Sequence, residues 1–198
     1  MELVLASNNQ GKLAEIKAMC APWGIQVVTA ASLGFTEEVA ETGDTFEDNA
    51  RLKAVAVSEA LGRPALADDS GLVVEALNGA PGVHSARYAG EHGDDAANSA
   101  KLLTEMIGVP PVKRAAAFVC VMLCRRPDGA ELVAQGRLEG RIAPAPAGHN
   151  GFGYDPVFLL PERGLTVAQL SAADKNAISH RGQALAKLAQ DLRGFLGG

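Results

Sequence analysis

Arg126-Pro127-Asp128-Gly129 separates two long runs, Arg114–Arg125 and Glu131–Ile142. The first run is nearly all apolar, with Ala115-Ala116-Ala117-Phe118-Val119-Cys120-Val121-Met122-Leu123-Cys124 inside it. Asp-Gly between two extended runs is a strong turn signal, so the stretch predicts a long antiparallel hairpin. Upstream, strands and helices alternate instead. Leu3–Ala6 and Ile25–Val28 read as short strands. Between them Leu13, Ile16 and Met19–Cys20 recur at helical spacing, with Pro22 beyond the end. Phe46, Ala50, Val57 and Leu61 mark a second helix, closed by Gly62 and started by Asp44 and Glu47 at capping-box spacing. Pro64–Val74 reads as a buried strand interrupted at Asp68-Asp69-Ser70-Gly71. Asp94–Ile107 is a third helix, ended by Pro110-Pro111. A last helix runs from about Asp174 to Phe195, with Leu185, Leu188, Leu192 and Phe195 as its stripe. Gly79–Gly90 and Pro144–Pro156 are Gly/Pro loops, the second leading into a strand at Val157–Leu160. Early alternation plus a late hairpin predicts an α/β protein around a mixed sheet covered by helices.

The chain has 198 residues, 47% of them hydrophobic and 21% charged, which is enough apolar material for a real core. The expectation is one domain over 1–198, or one domain with two lobes. The net charge of −5 gives no general attraction to nucleic acid or anionic membranes. A phosphate ligand needs a local group of cations or a metal. Three cysteines, Cys20, Cys120 and Cys124, make no disulfide framework and no zinc spacing, and read as core residues. No apolar window approaches the ~20 residues of a membrane span, and the N-terminus lacks the pattern of a leader, so the expected compartment is the cytoplasm.

Five stretches carry candidate chemistry. Ser7-Asn8-Asn9-Gln10-Gly11-Lys12 stands at a strand-to-helix junction, where N–H groups, dipole and lysine attract anions. The plain alternative is a helix cap by Ser7, Asn8 or Asn9. Asp68 and Asp69 interrupt an apolar run. They are either paired or metal-coordinating carboxylates, pointing to opposite faces if extended so that at most one need reach a given metal directly, or a local turn. Lys53 lies on the apolar stripe of its helix, as a snorkelling side chain or as a cation held beside Asp69. Glu41 and Glu47 stand near the same helix start and could complete a metal site. Most of Glu37–Thr45 reads as a solvated acidic loop. Gly151-Phe152-Gly153-Tyr154-Asp155-Pro156 places aromatics on a glycine loop, for stacking on a base or packing under the loop. Lys175 to Arg181 opens the last helix. Lys, His and Arg there oppose the helix dipole, which favours a role in binding phosphate or a base carbonyl.

Taken together, these stretches resemble the inosine/xanthosine triphosphate pyrophosphatases, the XTP/dITP diphosphatase family. The resemblance rests on Ser7–Lys12, Glu41–Ala50, Ala67–Leu72, Gly79–Gly82 with Ser85–Tyr88, Gly151–Pro156 and Ser179–Arg181, in that order along nearly the whole chain. It implies a two-lobed α/β fold with a long central mixed β-sheet, a homodimer, and hydrolysis of ITP, dITP and XTP to monophosphate and pyrophosphate. It implies Mg²⁺ on Glu41 and Asp69, with Asp69 also the general base and Lys53 beside the triphosphate. Ser7, Asn8, Asn9, Gln10, Gly11, Lys12 and Lys175 are then expected at the phosphates. Ser70, Phe152, Gly153, Tyr154, Asp155, His180 and Arg181 are expected to contact the nucleotide, with Phe152 near the base. Ser7 stands where Thr-Gly-Asn is commoner, and His149-Asn150 where small residues are expected. His84 falls at a variable position. The rival readings are a pyrophosphatase for modified pyrimidine nucleotides and a non-catalytic nucleotide-binding module.

Overall fold

The structure, a computed structural model, describes residues 2–7 and 9–197. Its elements in chain order are β1 (Glu2–Leu5), α1 (Gln10–Cys20), β2 (Gln26–Thr29), α2 (Phe46–Leu61), β3 (Ala65–Val74), α3 (Asp95–Glu105), β4 (Ala115–Arg125), β5 (Glu131–Ile142), β6 (Phe158–Leu160), β7 (Leu165–Thr166), α4 (Ala172–Ile178) and α5 (His180–Gly197). The sheet runs β2-β1-β3-β4-β5-β6-β7. β1 is parallel to β2 and β3, with Leu3 opposite Val27 and Val4 opposite Ala65. The other edge is antiparallel: Ile142 pairs with Phe158, and Leu159 with Thr166. The Asp-Gly turn closes the β4–β5 hairpin, with Arg126 N–H donating to the Ala130 carbonyl and Ile142 N–H to that of Arg114. The mixed sheet read from the sequence is therefore present.

The chain divides into two compact units. The first holds residues 1–69, 120–136 and 180–198, the second residues 70–119 and 137–179. In the first unit, strand pleat sorts side chains between two helical layers. Leu3, Leu5, Leu66, Cys120, Met122 and Cys124 pack with Ile16 and Cys20 of α1 and with Ala184, Leu185, Leu188 and Leu192 of α5. The alternate residues Val4, Ala65, Ala67 and Leu123 pack with Ala50, Ala54 and Val57 of α2. All three cysteines are free and buried, as their apolar surroundings predicted. In the second unit, Leu72, Val74, Phe118, Ile142 and Phe158 share a core with Leu102 and Met106 of α3. The Phe118 and Phe158 rings stack with centroids 4.3 Å apart.

Three local expectations change. β3 is not interrupted at Asp68–Gly71; it runs unbroken from Ala65 to Val74, because its two acids find partners in neighbouring helices rather than in local backbone. The cap of α2 is Thr45, whose hydroxyl accepts from Asp48 N–H, and not Asp44. The last helix is two helices. Ser179, extended at φ −64° and ψ 154°, ends α4, and α5 begins at His180. Lys175 and Arg181 thus belong to different helices and different units.

Candidate active site

Asp68 and Asp69 are neighbours in an extended strand, so they leave it on opposite faces. Asp68 follows Leu66 toward α1 and α5; Asp69 follows Ala65 and Ala67 toward α2. Both are buried, at 0% and 5% exposed. Carboxylates at that depth need cations or donors. Lys12 Nζ lies 2.9 Å from Asp68 Oδ2, and Arg181 Nε 3.6 Å from the same oxygen. Arg181 in turn pairs with Glu15.

On the other face, small residues on α2 and β3 let helix and strand approach. Lys53 Nζ donates to Glu41 Oε1 at 2.6 Å and to the Asp68 carbonyl at 2.7 Å, and stands 3.8 Å from Asp69 Oδ1. Asn49, fully buried, donates to Asp69 Oδ2 at 3.2 Å, and its own Oδ1 accepts from Gly43 N–H at 2.8 Å. Gly43 has no room for a side chain: a Cβ there would lie 2.5 Å from that of Asp48. The acidic loop is thereby pinned over α2, and Glu41 is drawn out of it toward Lys53.

The two carboxyls titrate in opposite directions. Burial opposes the charge on Asp68, but Lys12, Arg181 and Lys53 outweigh it and hold the carboxyl below its ordinary range. For Asp69 burial dominates; Lys53 and Lys12 offset part of it, Glu41 adds repulsion, and the carboxyl is raised. Burial also works against the Lys53 ammonium, but Asp69, Asp68 and Glu41 reverse it and the group is raised. Adjacent acids pushed apart in this way are a pattern of acid–base sites.

At the β1–α1 junction, Asn9 caps α1 by accepting from Lys12 N–H at 3.0 Å, and Asn9 N–H donates to Ser7 Oγ at 3.3 Å. The capping alternative therefore describes Asn9, while the Lys12 side chain goes to Asp68. Gln10 and Gly11 form the first turn, whose N–H groups have no partner within a helix. Asn8 lies outside the described residues.

The second unit holds the other candidates. Asp155 is buried, receives Lys175 Nζ at 2.5 Å, and accepts from Phe152 N–H at 3.0 Å. Lys175 stands 4.5 Å from the Phe152 ring centre, a cation–π contact. A Cβ on Gly151 would meet Asp155 Oδ2 at 2.0 Å, so the loop closes only with glycine there. Gly153 N–H donates to Asp95 Oδ2 at 2.6 Å. Tyr154 packs in the core and donates its hydroxyl to the Ser85 carbonyl at 2.9 Å. Ser70 is half-buried in β3. His180 and Arg181, expected at the nucleotide edge, are buried at 6% and 2% exposed in the first unit.

The structure thus gathers Lys12, Glu41, Lys53 and Asp69 around β3, in one unit. Glu47 goes elsewhere, to Arg51 at 2.6 Å. Sequence reasoning missed Asn49 and Glu15. Asn49 was findable: it lies on the same apolar stripe that flagged Lys53, three residues after Phe46. Glu15 carried no signal, since its partner Arg181 is 166 positions away.

The model of the Ham1 family matches residues 3–191. A protein of Geobacillus kaustophilus named dITP/XTP pyrophosphatase is 51% identical over 197 residues, covering 100% of this chain and 97% of that relative. The structure of the Staphylococcus aureus Ham1 protein superposes with a TM-score of 0.87 at 46% identity, covering 98% of this chain and 100% of the other. That of a HAM1 protein from Coxiella burnetii gives 0.89 at 43%, covering 98% and 99%.

Proposed function

Since this chain belongs to the Ham1 family, we propose that it is a nucleoside-triphosphate pyrophosphatase converting ITP, dITP and XTP to the monophosphate and pyrophosphate. Full-length relatives at about half identity carry the name dITP/XTP pyrophosphatase. The observation that carries the chemistry is one ammonium, Lys53, between Glu41 and the raised carboxyl of Asp69.

Mg²⁺ fits this donor set. Among the described residues no three His, Cys, Asp or Glu gather into a protein cage for a metal. Mg²⁺ rarely needs one; it takes one or two carboxylates and completes its shell with water and substrate phosphates. Glu41 and Asp69 would hold it, and once bound it neutralises phosphate charge and polarises the phosphoryl group. Asp69 orients a water and accepts its proton as the water oxygen bonds to the α-phosphorus. The bond from that phosphorus to the bridging oxygen breaks, and pyrophosphate leaves. Lys53 and Lys12 supply positive charge to the polyanion, together with the first turn of α1 at Gln10 and Gly11. Phe152, with Lys175 against its ring, is assigned to the base. The Asp155 carboxylate keeps that loop in shape.

Asp69→Asn tests the reading. It removes the base and leaves an amide of nearly the same shape. Mg²⁺-dependent pyrophosphate release from ITP is expected to fall about 10²–10⁴-fold. Retention of more than roughly a tenth of the rate would show that Asp69 is not the base. A panel of ITP, dITP, XTP and modified pyrimidine triphosphates separates the purine reading from the pyrimidine one. A homodimer and a cytoplasmic location belong to the same proposal; light scattering on the purified chain checks the first. No helix among the described residues is long and apolar enough to cross a membrane.

A further inference from the structure

The direction of the Phe152 ring is set by the two peptide groups that flank it. The N–H of the preceding peptide, Phe152's own, donates to Asp155 Oδ2 at 3.0 Å, and Asp155 is itself held by Lys175. The N–H of the following peptide, that of Gly153, donates to Asp95 Oδ2 at 2.6 Å. One carboxylate comes from the loop, the other from the first residue of α3. Gly153 needs that second hold. It lies in the left-handed region at φ 61°, and a Cβ there would meet no atom within 4 Å. Neither a side chain nor the surroundings restrain its backbone, so the bond to Asp95 fixes the Phe152–Gly153 peptide. One turn further along α3, Ser99 Oγ stands 3.5 Å from the Gly153 carbonyl oxygen. The neighbouring Asp94 has a different task. It is the N-cap of α3 and accepts from Ala97 N–H at 2.9 Å. Asp95 is exposed, at the positive end of the helix, where its charge is favoured. The helix, the loop and Lys175 all belong to the second unit.

We propose that Asp95 is a positioning residue for the base: it fixes the peptide after Phe152 and so aims the ring. Lys12 and Lys53, in the first unit, do not depend on it. The proposal rests on the pyrophosphatase reading, which seats the base on Phe152. It predicts that Asp95 governs affinity for ligands that carry a base and leaves a bare polyphosphate alone.

The test uses the full chain. It combines kcat and KM for ITP, calorimetry with inosine monophosphate and with inorganic tripolyphosphate as a base-free probe, and amide hydrogen exchange across residues 151–155. In Asp95→Ala, KM for ITP and Kd for inosine monophosphate are expected to rise about three- to tenfold, the scale of one charge-assisted hydrogen bond at an exposed loop. The change in kcat should be smaller than that in KM, tripolyphosphate affinity should hold, and exchange at the loop amides should accelerate. Asp95→Asn keeps an acceptor oxygen and should restore most of the affinity and of the protection. Asp94→Ala is the structural comparison: it loses the α3 cap and should lower Tm while KM stays near wild type. An unchanged KM for ITP in Asp95→Ala overturns the proposal. So does tripolyphosphate binding that weakens by the same factor. So does an Asp94→Ala chain whose KM rises as far as that of Asp95→Ala, which would make the effect one of α3 stability. If the wild-type chain fails to hydrolyse ITP, the pyrophosphatase reading fails, while the exchange measurement still decides the role of Asp95: loop amides equally protected in wild type and Asp95→Ala overturn it.

Discussion

Two aspartates one bond apart in β3 meet opposite surroundings, and their stability effects should have opposite signs. Asp69 is raised above its ordinary value of 3.8, so the folded chain binds its proton more tightly than the unfolded one. Its charge therefore works against folding at neutral pH. Asp69→Asn should then lose turnover while its Tm at pH 7 holds or rises; a marked fall in Tm would contradict the burial argument. Asp68 is lowered below 3.8. The folded chain holds fewer protons on it, so its contribution is present above about pH 4 and is lost as pH falls through that range. Asp68→Asn leaves Lys12 and Arg181 facing a neutral amide in a buried place. Breaking a buried pair from one side costs about 3–5 kcal/mol. A Tm series from pH 7 down to 3 checks both points: the variant should start lower and show a shallower decline in acid.

At the scale of elements, the ends and close approaches of helices place the site residues. Thr45 caps α2, which carries Asn49 and Lys53. Thr45→Ala is expected to cost about 1 kcal/mol, within a range of 0.5–2, whereas Asp44→Ala should cost much less. Urea midpoints of the two variants compare them directly. Gly136→Ala is a sharper test of packing. The added methyl would press on the His180 carbonyl and the Ala184 amide, which are backbone atoms and cannot swing aside. Overpacking of this kind costs about 1–3 kcal/mol. Because α5 must shift, the ion pairs of Arg181 with Glu15 and Asp68 should be disturbed, and KM for ITP should rise as well. A Gly136→Ala chain with unchanged Tm and unchanged KM would show that α5 is not held where its contact with β5 places it.

On the scale of the molecule, metal and fold should be separable. Each unit has its own apolar core, and the proposed Mg²⁺ ligands already have protein partners: Lys53 for Glu41, and Lys53 and Asn49 for Asp69. Removing divalent ions with EDTA should therefore abolish pyrophosphate release from ITP and leave Tm in place. A chain that unfolds on chelation would behave as a structural-metal protein instead.

The hairpin, the early alternation and the apolar stripes of α1, α2 and α5 are local patterns, and the sequence alone determined them. Strand and helix periods, Asp-Gly and Gly62 act over a few residues, so one dimension suffices to read them. Motif order likewise determined the family. Other features were decided by tertiary structure. Asp68-Asp69 could equally have been a turn, and only partners from α1, α2 and α5 kept β3 extended through two buried acids. Ser179 divides the last helix ahead of the apolar stripe, which begins at Leu185, and that division parts Lys175 from Arg181. Tyr154 enters a core because Ser85 offers its hydroxyl an acceptor. The seat of Arg181 depends on Glu15, 166 residues away, and on the absence of a side chain at Gly136. Charge pairing and close packing across such separations leave no periodic trace in a sequence, because they depend on which elements the fold brings side by side.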